Sequence, residues 1–192
     1  MGNRENILEC ALHLFYKKGY DAVGVQEIAE TAGITKPTMY YYFKSKSGLL
    51  EVLLRERCEP LNENIRQAVQ NPSDVKDVLV RITKVYLSAA SVNREFYFLM
   101  ISLFYAARES EAHKMIEPYL TEQFEIITHV FDSFSYYLGN MNGRQRQFSV
   151  GFIGLINNYI LVYYQRTDDG EQLKSEELAY ALVHQFMHGI FS

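Results

Sequence analysis

Helical periodicity recurs almost without interruption along this chain, and no run of alternating β-branched residues bounded by Asn-Gly turns competes with it. Apolar residues return every three or four positions, and Gly, Pro and Asn punctuate them at short intervals. The spacing predicts helices over about 4–18, 25–31 and 36–43, then one from about 47 that Pro60 kinks or ends. Further helices are expected over 75–90, after Ser91, and over 110–138, 144–166 and 176–189. Asn3 is placed to cap the first helix and Gly19, after two lysines, to end it. Thr35 is placed to cap the third, with Pro37 tolerated in its first turn, and the turn Asn71-Pro72-Ser73-Asp74 caps the fifth. The loops 139–143 and 167–170 separate the last three helices. The expected fold class is therefore all-α, with about nine helices.

Composition narrows the class further. Of 192 residues, 48% are hydrophobic and 22% charged, the balance of a globular chain and not of a disordered one. Fifteen Tyr and twelve Phe with no Trp imply surfaces that are apolar in body yet must satisfy hydroxyls. A ligand cavity, an interface and a nucleic-acid contact all meet that description. The net charge is −4, but it is uneven: residues 1–46 carry six basic against five acidic side chains, and the remainder thirteen against eighteen. Cys10 and Cys58 lie in helical patterns without a CxxC and read as buried free thiols. The first ten residues lack a signal peptide's apolar core, and Asn6 breaks the myristoylation pattern. The apolar stretch 148–165 contains two Gly and two Asn and reads as a buried helix, not a membrane span. A cytoplasmic protein without membrane contact is expected.

Residues 25–44, VQEIAETAGITKPTMYYYFK, have the spacing of a helix-turn-helix. Two short helices meeting steeply need a small residue at the crossing, here Ala29, and one tolerant of positive φ in the turn, here Gly33. Ile28, Ala32, Ile34 and Met39 supply the apolar lock, and Met39 and Phe43 lie one turn apart on the inner face of the third helix. Lys36, Thr38, Tyr40 and Tyr41 then point outward. That face offers the donors a major groove or phosphate requires.

At these residues the chain resembles the TetR family of regulators. The resemblance rests on 19–50, GYDAVGVQEIAETAGITKPTMYYYFKSKSGLL, with Lys17-Lys18-Gly19-Tyr20 closing the first helix in the family's manner. It implies a DNA-binding domain over 1–46 and a helical ligand-binding and dimerisation domain over 47–192. It implies base or backbone contact with double-stranded DNA from Gln26, Thr35, Lys36, Thr38, Tyr40 and Tyr41, and a phosphate contact from Lys46. One departure is Gly24, where many members begin the second helix with Thr or Ser; Gly caps but brings no hydroxyl.

The resemblance also implies a homodimer that spaces two recognition helices about 34–36 Å apart. The expected interface is Gly151, Gly154, Leu155 and Asn158 on the eighth helix with Leu178, Leu182, Phe186 and Ile190 on the ninth. An apolar cavity for a small effector is expected from Tyr86, Phe98, Phe104, Tyr105, Phe124, Phe152, Tyr159 and Tyr163, beside Phe96, Met100, Phe131 and Phe148. His129, Asn157 and Asn158 are the polar groups placed to orient it. Such a protein would be a ligand-released repressor on a palindromic operator.

Other readings have less behind them. None of the five His has a Glu three residues before it, and Walker A, GxSxG and GxGxxG are absent, so no enzyme and no cofactor are expected. His184 and His188 have chelating spacing, but no nearby Cys or Asp completes a metal site. The open alternative is a helical small-molecule sensor or carrier without specific DNA binding, which Gly24 and the modest charge of the N-terminal part would permit.

Overall fold

The local rules read from the sequence act one helix at a time. In the computed structural model, which describes residues 2–139, 141–167 and 169–189, they yield nine α-helices and no strand among the described residues. These are α1 (Asn3–Lys18), α2 (Val25–Thr31), α3 (Lys36–Phe43), α4 (Lys46–Ala68), α5 (Val75–Val92), α6 (Arg94–Phe104), α7 (Glu111–Ser133), α8 (Gln145–Tyr164) and α9 (Glu176–His188). A single 3-10 turn, Glu171–Lys174, precedes α9.

Most boundaries follow from the expected stops, and four do not. Gly2, not Asn3, takes the N-cap position of α1, and no side chain caps it. Pro60 neither ends nor shortens α4. Proline removes one backbone donor there, but Leu53, Leu54 and Cys58 before it and Leu61, Ile65 and Ala68 after it are all buried, and that packing outweighs the local cost. Helix α7 stops at Ser133, five residues early, because Tyr136 and Tyr137 beyond it are exposed and give a further turn nothing to bury. The 3-10 turn seats Leu173, fully buried, between two polar stretches too short to show a period. Of the expected loops, Asn140 and Asp168 lie outside the described residues, as does Ile190.

The chain forms two compact units, Met1–Pro60 with Arg94–Leu120, and Leu61–Asn93 with Thr121–Ser192. This division by compactness falls elsewhere than residue 46, because α4 and α7 each supply side chains to both cores.

In the first unit, α1 packs on α2 and α6, and α2 on α3. Ile7, Leu8, Leu12 and Phe15 of α1 are buried, as are Ile28, Met39, Leu49, Leu50 and Leu53, in a core closed to solvent. At its edge Arg4 pairs with Glu56, and Arg57 with Glu5 and Glu9. These pairs are partly exposed and add little stability.

In the second unit, α5 packs on α8, α9 and the 3-10 turn. A polar chain crosses its apolar core. The Tyr86 hydroxyl donates to Gln123 Oε1 at 2.9 Å, Gln123 Nε2 donates to Asn62 Oδ1 at 2.7 Å, and Asn62 Nδ2 donates to Glu122 Oε2 at 2.8 Å. Arg66 closes the outer end on Glu122. Buried polar groups persist because each finds its partner. Desolvation raises the Tyr86 hydroxyl well above the ordinary tyrosine range, so it is a donor at every working pH. Cys10 and Cys58 are free thiols, and burial pushes Cys58 up to about 12, which keeps it neutral and unreactive.

Candidate nucleic-acid interface

The α2–turn–α3 segment is built on three local devices. Gly33 takes φ of 67°, open to glycine and strained for other residues, and lets the Ile34 N–H reach the Ala29 carbonyl at 2.9 Å. Asn6 of α1 donates to the Ala32 carbonyl at 2.9 Å and fastens the turn to the core. Thr35 caps α3 by accepting from the Thr38 N–H at 3.4 Å, and the two threonine hydroxyls lie 2.9 Å apart. Met39 and Phe43 are buried as their spacing requires.

The opposite face of α3 is open. Thr35 and Lys36 are exposed, Thr38 is half-buried, and Tyr40 and Tyr41 are 45% and 82% exposed. The structure thus brings five of the seven expected contact residues to one surface. Tyr42, which the pattern did not single out, is also exposed and lies edge-on to Tyr41 with ring centroids 5.2 Å apart. Lys44 is a second residue missed; it ends α3 with φ of 63° and its side chain is exposed. A run of three tyrosines beside a lysine on one short helix was the available signal for both.

Two expected contacts are otherwise engaged. Gln26 is exposed, yet its amide donates to Glu30 on the same helix. Lys46 is half-buried, and its ammonium donates to the carbonyls of Tyr20 at 3.0 Å and Val23 at 3.1 Å. It does not project as a free cation.

The sequence profile of the bacterial regulatory proteins of the tetR family matches residues 7–53, the stretch that holds α1, α2, α3 and the start of α4. Over these residues the chain is similar to the tetR family of bacterial regulatory proteins. The HTH-type transcriptional activator FasR of Mycolicibacterium smegmatis is 27% identical over 157 residues, which cover 79% of this chain and 68% of FasR. IcaR of Staphylococcus aureus, the negative transcriptional regulator of the biofilm operon icaADBC, is 28% identical over 106 residues, 48% of this chain and 56% of IcaR. The chain therefore spans little more than half of IcaR. The likeness in fold extends along the whole chain. A TetR-family transcriptional regulator from Bordetella parapertussis superposes with a TM-score of 0.80 at 22% identity, covering 97% of this chain and 95% of its own. FadR from Bacillus subtilis, solved with stearoyl-CoA, superposes with a TM-score of 0.73 at 19% identity, covering 97% and 98%.

The residues expected to line an effector cavity are spread out. Phe98 lies in the first unit against Tyr16, ring centroids 6.3 Å apart. Phe104 stacks on His113 at 5.8 Å but is partly exposed, and Tyr105 is 80% exposed. In the second unit, Phe152 is fully buried among Phe131, Phe148 and Phe186, an aromatic cluster joining α7, α8 and α9. Tyr159 stacks on Tyr163, whose hydroxyl donates to the Asp169 carbonyl at 2.7 Å. Phe124 is half-buried under the Arg146 guanidinium, and Asn157 is half-buried. Two placements differ from expectation. Tyr86 spends its hydroxyl within the polar chain, and His129 is exposed because it falls on the outer face of α7.

The expected dimer surface divides in the same way. Gly151 and Asn158 are exposed, Leu155 is half-buried, and a Cβ added at Gly154 would meet nothing. Val150 and Val162, not foreseen, are 62% and 47% exposed on the same helix. On α9, Leu178 is half-buried, whereas Leu182 is only 4% exposed and Phe186 sits in the aromatic cluster. Leu182 and Phe186 thus support α9 from within their own chain, since the inner stripe of an amphipathic helix is also its most apolar one. Among the described residues no helix is long and apolar enough to cross a membrane.

Proposed function

We propose that this chain is a TetR-family regulator that binds a pseudo-palindromic DNA duplex as a homodimer, represses from it, and is released by a small apolar effector held by its C-terminal helices. The observation that carries this reading is the outward face of α3. Thr35, Lys36, Tyr40 and Tyr41 stand free of the chain's own core and within the span that matches the family profile. A lysine, hydroxyls and aromatic edges on one exposed helix suit phosphate and base contacts and have no packing role. For the dimer, support comes from α8. Val150, Gly154, Asn158 and Val162 recur every four residues, and the apolar pair is exposed beside glycines that admit a close neighbour.

The test is selection of bound sequences from a random duplex pool, with the Lys36→Ala/Tyr40→Ala chain beside the unaltered one. The expected result is a pseudo-palindrome with half-sites about one duplex turn apart, which the double variant fails to enrich. No enrichment at low salt by a folded dimer would sink the reading in favour of a helical carrier.

The effector is proposed to be apolar, on the strength of the half-buried Tyr159–Tyr163 pair on α8. FadR, a neighbour in fold, was solved with stearoyl-CoA. A long-chain acyl-CoA is accordingly the first probe. Saturating stearoyl-CoA is expected to lower affinity for the selected duplex at least tenfold, which demands a preference of about 1.4 kcal/mol for the non-binding state. Tight binding of that probe with unchanged duplex affinity would exclude it as the releasing ligand.

A further inference from the structure

The two histidines of α9 differ from the other three. His13 spends a ring nitrogen on Glu95 at 2.8 Å, and His113 spends one on the Phe104 carbonyl at 2.8 Å. His129 has no second histidine within a turn of it. His184 and His188 lie one turn apart and are both exposed, with ring centroids 4.6 Å apart and ring planes at 44°. Among the described residues neither ring is engaged in a hydrogen bond or an ion pair. Both sit toward the C-terminal end of α9, where the helix dipole favours a cation, and α9 contains no Lys or Arg to supply one.

The spacing of the rings bears on which ion they suit. An imidazole nitrogen binds a first-row transition metal at about 2.0–2.1 Å, which places each ring centroid about 3.2 Å from the ion. Two rings at a right angle about the metal then have centroids about 4.5 Å apart, and two at the tetrahedral angle about 5.2 Å. The observed 4.6 Å fits the right angle. Nitrogen ligands at right angles suit square-planar or tetragonal Cu2+ and Ni2+ better than tetrahedral Zn2+.

We propose that His184 and His188 form an open two-ligand chelate for Cu2+ or Ni2+ at the C-terminal end of α9, with water in the remaining coordination positions. The ion bridges two successive turns on the outer side of α9, while Phe186 between them enters the aromatic cluster on the inner side. The second imidazole meets an ion already held by the first, so its effective concentration is high and the pair binds where a lone histidine would not. The site is independent of the DNA-binding function proposed above.

Isothermal titration of the full chain, free of any affinity tag, with NiCl2 measures the site. One Ni2+ per chain is expected, with Zn2+ bound more weakly. His184→Ala and His188→Ala should each lower Ni2+ affinity at least about tenfold, and the double variant little further, because either change alone abolishes the chelate. Both positions are exposed and alanine favours helix, so these variants keep the fold. Gln185→His/His188→Gln keeps the number of histidines but sets them at adjacent positions, which do not face each other on a helix. It should lose as much affinity as His188→Ala. Single variants within about twofold of the unaltered chain would overturn the proposal, as would undiminished affinity in the chain with adjacent histidines. Tighter binding of Zn2+ than of Ni2+ would overturn the right-angled geometry on which the choice of metal rests.

Discussion

Replacing Phe152 with alanine is expected to destabilise the protein by about 3–5 kcal/mol, as large aromatic truncations in a closed core do. The ring is fully buried, with the Phe186 centroid at 5.2 Å and that of Phe131 at 6.4 Å. Ile156 and Ile160 continue the same buried stripe down α8. The loss has two parts: the transfer energy of the missing ring, and a void whose walls belong to three different helices. Walls on separate helices relax poorly, which favours the upper half of the range. Urea unfolding followed by circular dichroism measures it. A change under about 1 kcal/mol would show that the cluster closes over the gap, and that these aromatics are not a rigid core.

Gly48→Ala is expected to destabilise by about 1–3 kcal/mol, reversing the usual helix preference of alanine over glycine. A Cβ at this position would lie 2.3 Å from the Phe43 carbonyl oxygen and 3.3 Å from Ser45 Oγ. Those atoms define the junction of α3 and α4. Ser45 Oγ accepts from the Gly48 N–H at 2.8 Å, the Ser45 N–H reaches the Phe43 carbonyl at 2.7 Å, and Lys44 carries the positive φ that makes so short a turn possible. The carbonyl can yield only by moving the last turn of α3. Duplex affinity should therefore fall along with the melting temperature in the Gly48→Ala chain. Equal or greater stability would show that the junction opens without cost.

The helix-turn-helix was legible because its constraints are local. Ala29, Gly33 and Thr35 act through their neighbours within five residues, and their spacing alone carries the geometry. The place of Lys46 was not legible for the opposite reason: its carbonyl partners lie 23 and 26 residues away, and no local pattern encodes them. The same holds for Tyr86, whose place in a buried polar chain depends on Gln123 and Asn62 from two other helices. Pro60 was read by its local cost, while the burial on both sides of it decides the outcome. Apolar stripes on α8 and α9 were visible, but a stripe cannot say whether its partner is the same chain. Leu182 turns inward, and Val162 outward.

The polar chain from Tyr86 to Arg66 fixes the register of α4 against α7 within the second unit. Asn62 and Gln123 grip each other through a directional bond of 2.7 Å in a site closed to water. A displacement of an ångström or two would leave several donors and acceptors bare at once, with nothing nearby to replace them. The core of the second unit is therefore pinned in a single register by its polar chain.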